Sequence, residues 1–193
     1  MSVAVRVWDP RVAAVFCRHR EEWGELGNTY PARMEVCGAR WPAAEAVYQA
    51  LKLTEPRLQR RVARARSGLE AKREAYRHPQ ALRGDLDEPT RIRLMRITLR
   101  LRACQDGVFR RSLLATGQRP IVERSGRDGW WGAVPQADGT LVGRNVLGRL
   151  LMELRAELRA GRVRWPGEPQ EFLLGRPLRP PKPPAPGTGK EAT

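Results

Sequence analysis

The chain has 193 residues, of which 41% are hydrophobic and 30% charged, and it carries a net charge of +15. That composition excludes a disordered or fibrous chain, the length suits one domain, and no apolar run reaches the roughly 20 residues needed to span a bilayer. The positive field favours phosphate-bearing partners, although 32 arginines against 4 lysines read more simply as a solvated arginine-rich surface than as a dedicated nucleic-acid face.

In chain order, the opening "MSVAVRVWDPRVAAVF" is broken by Arg6, Asp9, Pro10 and Arg11, unlike the apolar segment of a secretory signal, so a cytoplasmic location is expected. "RMEVCGARW" (33–41) reads as a small hairpin around Cys37 and Gly38, and "WPAAEAVYQALKL" (41–53) as a helix. A further helix, rich in arginine, begins at Pro56, with Gly68 placed to bend or divide it. "EPTRIRLMRITLRLRAC" has Pro89 in its first turn, and "VFRRSLLATG" adds a short helix ending at Gly117. Residues 118–143 are glycine-rich, with paired tryptophans, and predict a long irregular loop; such loops in compact domains are usually functional. "NVLGRLLMELRAELRAG" predicts a helix with Asn145 as N-cap and Gly161 as its stop. Residues 163–193 hold eight of the sixteen prolines and predict an extended, flexible tail, in which "EFLLG" (171–175) is the one patch able to dock back.

The expectation is therefore a mainly α, single-domain fold over residues 1–162, with one small hairpin and a Gly/Trp loop. Cys17, Cys37 and Cys104 form no C-x-x-C pair, which suits reduced, buried thiols rather than a zinc site. With His19 and His78 the sole histidines and no serine in a G-x-S-x-G elbow, no metal or cofactor is expected.

On a helix Glu45, Gln49 and Lys52 fall within about 60° of one another, opposite Ala44, Val47, Tyr48 and Leu51. The plain reading is an amphipathic helix with that face in water. Lysine is scarce, however: outside the tail only Lys52 and Lys72 occur. Arginine supplies charge equally well but stays protonated, whereas a partly buried lysine can lose its proton and attack an electrophilic carbon.

Six segments occur together and in order: "FCRHREEWGELGN", "RWPAAEAVYQALKL", "GLEAKREAYR", "RLMRITLRLRA", "LLATGQRPIVERSGRDGWWG" and "GRNVLGRLLMELRAEL". In this order and spacing the chain, over residues 16–160, resembles the NADAR superfamily of YbiA-like N-glycosidases. The resemblance implies cleavage of an N-glycosidic bond at a phosphorylated ribose. Two substrate classes go with it: pyrimidine intermediates of riboflavin biosynthesis, or ADP-ribose carried on guanine bases of nucleic acid. It casts Lys52 as the catalytic amine and Glu45 as the general acid or base. Asn28, Gln49, Lys72, Asp128, Trp131, Gly132 and Asn145 would bind substrate. The chain departs from the family pattern at Gly27, Ala46, Ala75, Ala133 and Val134, which bears on substrate choice and leaves two alternatives open. One is a non-catalytic ADP-ribose or nucleotide binder; the other is a charge-driven nucleic-acid binder.

Overall fold

The computed structural model describes residues 3–167 and 170–179. Two three-residue strands, β1 (Arg6–Trp8) and β2 (Ala14–Phe16), come first. The expected hairpin follows as β3 (Met34–Val36) and β4 (Ala39–Trp41), turning at Cys37 and Gly38, both with positive φ (53° and 75°), the backbone that tight two-residue hairpins require. The arginine-rich stretch divides just before Gly68, into α2 (Pro56–Ala63) and α3 (Gly68–Tyr76), after α1 (Ala44–Leu51). Ser67 caps α3 by accepting the Glu70 N–H (3.2 Å). A Cβ on Gly68 would come within 2.9 Å of Thr29 Cα and 3.0 Å of Ala43 Cβ, so the glycine lets α3 close directly onto the segment leading into α1. Asp87 and Asp106 cap α4 (Glu88–Gln105) and α5 (Gly107–Ala115). The chain then passes through β5 (Ile121–Glu123), β6 (Val134–Pro135) and β7 (Leu141–Gly143) into α6 (Val146–Arg159), and ends in a second hairpin, β8 (Phe172–Leu173) and β9 (Arg176–Pro177).

The fold is therefore mixed α/β, 41% helix and 16% strand over the described residues, and the expectation of a mainly helical domain is corrected. β1, β7 and β6 form a three-stranded antiparallel sheet, and β2 pairs parallel with β5. These strands are two or three residues long, and β1 and β2 find their partners far off in the chain, Arg6 opposite Gly143 and Ala14 opposite Ile121, while β6 and β7 pair locally. Neither feature leaves a period in a local window of sequence. The segment expected to be an irregular loop supplies three of the strands.

Part of the proline-rich segment packs on the body. Leu173 and Leu178 are fully buried in the main core, and buried Glu171 pairs with Arg83 and Arg93. Residues 180–193, where the tail was expected to continue, lie outside the described residues. Cys17 is exposed and Cys37 and Cys104 are partly buried, rather than buried as expected. Among the described residues no helix is long and apolar enough to cross a membrane.

α1 packs against α2, α3 and α4. The segment before it is held by Arg102 of α4, which is fully buried. Its guanidinium donates to Gly27 O (2.9 Å), Glu25 O (2.8 Å) and Asp106 (3.1 Å), and it lies 4.2 Å from the Phe109 ring centroid. Replacing it removes the charge that pairs Asp106 and leaves Glu25 O and Gly27 O without their guanidinium donors. Arg102→Met is expected to cost about 3–5 kcal/mol, read as a lowered urea midpoint.

Candidate functional site

All eight residues of α1 are buried, so the polar face of the helix has no solvent to face. Glu45, Gln49 and Lys52 instead line a cavity of about 520 Å³, together with Asn28, Lys72, Asp128 and Trp131. The water-facing amphipathic helix is not what forms. Asn28 O accepts the Glu45 N–H (2.9 Å), satisfying one of the free amides at the helix start, and Gln49 Nε2 donates to Glu45 Oε1 (2.7 Å). Asn28 Nδ2 is spent on Met95 Sδ (2.8 Å). Asn28 Oδ1 and Gln49 Oε1 have no hydrogen-bond partner despite their burial. Two buried acceptors beside a cavity are what a ligand carrying hydroxyl or amine donors would satisfy.

Lys52 is 8% exposed. Its ammonium lies over the rings of Tyr48 (5.2 Å) and Tyr76 (5.3 Å), while Lys72 approaches the Tyr76 ring at 5.8 Å. Burial pushes the Lys52 amine down to about 8, Arg91 and Lys72 push the same way, and Glu45 opposes them. A useful fraction of free amine thus exists near neutral pH. Burial raises the Tyr48 phenol, with the charge of Glu45 adding to it.

The opposite wall is the tryptophan loop. Asp128 Oδ1 accepts the amide N–H groups of Trp130 and Trp131 (2.9 Å each), a local turn that orients both indoles. Trp131 meets Tyr48 edge to face with centroids 5.6 Å apart. Gly132 and Asn145 do not line the cavity; they stand behind this wall. Asn145 Oδ1 accepts the Glu123 N–H (3.1 Å) and its Nδ2 donates to Ile121 O (2.8 Å). It occupies the N-cap position of α6, but its side chain caps β5 instead of the helix. A Cβ on Gly132 would lie 2.5 Å from Glu123 O, so both residues brace the end of β5.

What β5 presents there is Glu123, which sequence reasoning did not single out. Its carboxyl lines the cavity, and burial, followed by the charges of Glu45 and Asp128, pushes it up to about 7. Its one sequence signal is a carboxylate ending an apolar strand directly before the loop. Arg91 and Tyr76 also line the cavity without having been selected. Among the described residues no cluster of His, Cys, Asp and Glu is placed to hold a metal ion.

A buried amine, several carboxyl groups, aromatic edges and cations at one cavity define a site able to hold a polar ligand and move protons on it. The chain belongs to the NADAR domain family, whose model matches residues 15–159. It is 39% identical over 138 residues to a riboflavin biosynthesis protein of Vibrio vulnificus, covering 72% of this chain but only 36% of that protein. It is 32% identical to the N-glycosidase YbiA of Escherichia coli, covering 72% of this chain and 83% of the relative. The NMR structure of the E. coli protein YbiA superposes with a TM-score of 0.65 at 28% identity, covering 78% of this chain and 88% of that one.

Burying an ammonium has a stability consequence. The folded-state value of Lys52, about 8, lies below its ordinary 10.5, so the unfolded chain holds the proton more tightly and stability rises with pH across that window. Below pH 8 the cost is fully present, on the order of 3 kcal/mol. Lys52→Met is expected to raise the melting temperature at pH 7 by about 5 °C, with the gain shrinking as pH climbs from 8 towards 10.5.

Proposed function

We propose that the chain is an N-glycosidase acting on a phosphorylated ribosyl compound, with Lys52 as nucleophile. The observation that carries this reading is the buried Lys52 amine, lowered to about 8, sharing its cavity with Glu45, Glu123 and Asp128. The relatives named N-glycosidase support it.

The free amine of Lys52 attacks the anomeric carbon, and the C–N bond to the base breaks with its electron pair going to the base nitrogen. Glu123, protonated up to about pH 7, supplies the proton to that nitrogen. Glu45 takes a proton from the lysine nitrogen and returns it to the ring oxygen as the C–O bond breaks and the ribose ring opens to a protonated imine. Water then hydrolyses the imine, releasing the sugar and restoring the amine. The unpartnered oxygens of Asn28 and Gln49 accept from ribose hydroxyls, the indoles of the loop contact the base, and Lys72 and Arg91 meet the phosphate. Gly132 and Asn145 act through Glu123 rather than on substrate.

The net charge of +15 suits either anionic substrate class, and the name of the Vibrio relative favours riboflavin-pathway ribosylaminopyrimidine phosphates over ADP-ribosylated guanine. Substrates of either kind are intracellular, and the proposed location is the cytoplasm.

Turnover of both substrate classes tests the reading. Wild type should cleave at least one, and borohydride should trap a sugar adduct on Lys52. Lys52→Arg, which keeps the charge but not the nucleophile, should lose on the order of 10³-fold or more in kcat/KM. The amine must be free and Glu123 protonated, so the rate climbs with pH up to about 7, peaks between about 7 and about 8, and falls beyond about 8, with a minority of the enzyme in the reactive form at the peak. No turnover of either substrate, or an unaffected Lys52→Arg, overturns the proposal; ADP-ribose affinity without turnover would mark a binding module instead.

A further inference from the structure

The last turn of α1 is held by a clamp that runs outside the family match. Helix C-termini leave carbonyls without intrahelical partners, and three carbonyls around Lys52, of which Ala50 O also accepts the Leu53 N–H (3.0 Å), are taken up in a specific way. Gln59 Nε2 donates to both Ala50 O (3.2 Å) and Leu53 O (2.8 Å), and the Arg83 amide donates to Lys52 O (2.9 Å). Both donor residues are tied to the β8–β9 hairpin, Arg83 in addition to its own bidentate pair with Asp85 (2.5 and 2.9 Å). Gln59, 3% exposed, accepts the Leu174 N–H on Oε1 (2.6 Å), so one amide group bridges hairpin and helix. The Arg83 guanidinium donates to Glu171 Oε2 (2.6 Å), and Arg93 closes on the other oxygen of the same carboxylate, which is 2% exposed. Leu173 and Leu178 anchor the hairpin in the core, and the Leu178 N–H bonds Glu171 O (2.9 Å). The family match ends at residue 159, so this support is an addition to the matched domain. Leu82, neighbour of Arg83, lines the cavity and bridges Leu53.

We propose that Glu171 and Gln59 are positioning residues, and that the C-terminal hairpin acts through them to hold the Lys52 amine at its place in the cavity. The proposal rests on the reading of Lys52 as the working amine. A clamp is required there because Lys52 is the C-cap residue of α1, the point where a helix frays most readily, and because a buried ammonium with aromatic neighbours pulls towards water. Releasing the hairpin would let the last turn open and the amine regain solvent.

The test uses the full chain and a small amine probe, formaldehyde with cyanoborohydride, with methylation of Lys52 and Lys72 quantified across pH by mass spectrometry. In wild type the Lys52 midpoint should lie well below the ordinary 10.5 of a lysine. Glu171→Ala and Gln59→Met should raise the Lys52 midpoint by about one pH unit and lower kcat about tenfold, with KM nearly unchanged and the extent of Lys72 labelling the same as in wild type. Glu171→Gln, which keeps the volume and one acceptor, should show a smaller shift in the same direction and decides the matter if the other two fail to fold. Phe172→Ser, exposed on the same hairpin, should change neither readout. A lowered melting temperature with the Lys52 midpoint and kcat as in wild type overturns the clamp and leaves the hairpin a purely structural element. Labelling does not depend on turnover: a shifted midpoint in a protein whose Lys52→Arg variant stays active would keep the clamp and remove the catalytic assignment.

Discussion

A helix buried on every side must find partners for its polar side chains inside the protein, and α1 is such a helix. Ala44, Val47 and Leu51 are satisfied by packing, but Glu45, Gln49 and Lys52 cannot be. The cavity is the structural answer to that constraint. Around it the neighbouring elements supply what the three residues lack: the Asn28 carbonyl for the helix start, aromatic faces for the ammonium, and a hairpin for the carbonyls at the far end. The carbonyl and the hairpin act on the backbone at the two ends of α1, and the rings act on the side chain between.

The arrangement sets local chemistry against stability. A fully compensated Lys52 would sit in an ion pair with Glu45, yet the Glu45 carboxylate accepts from Gln49, and the amine is left with weak cation–π neighbours. Such under-compensated groups persist where the rest of the fold over-determines their position. Here that role falls to Arg102, two of whose donors stitch α4 to the turn before Asn28 while the third holds Asp106, and to Gly68, whose missing side chain lets α3 approach α1.

Much of this was legible in the sequence, and the illegible parts share a cause. The 3.6-residue period located α6, the punctuation around Cys37 and Gly38 located the first hairpin, and the spacing of Glu45, Gln49 and Lys52 put them on one face. Periodicity alone assigned that face to water, because a helix's own pattern does not reveal what covers its polar side; here α3 and the tryptophan loop do. The short strands escaped because β2 reads as a strand only once β5 lies beside it. Glu123 escaped with them, since its environment is made by Asn145, Gly132 and two other carboxylates that converge only in three dimensions. Proline density in the C-terminal segment suggested an extended tail, whereas Glu171, Leu173 and Leu178 outweigh the prolines over the described stretch by burying a charge pair and two leucines.

The tryptophan loop has one more effect. The carbonyls of Gly129, Trp130, Trp131 and Gly132 accept the amide N–H groups of Arg144, Val146, Leu147 and Asn145, so the start of α6 is closed by main chain from the loop itself. A helix start beside a cavity ordinarily offers its free amides and positive dipole end to an anion; this one has already spent those of Val146 and Leu147. An anion entering the cavity must therefore be met by cations on movable stems, such as Lys72 and Arg91. These can follow a phosphate to more than one position, and their pull weakens with ionic strength. Recognition of that kind discriminates by charge and reach rather than by a rigid amide cradle, which gives the cavity latitude over where a ligand's negative charge lies.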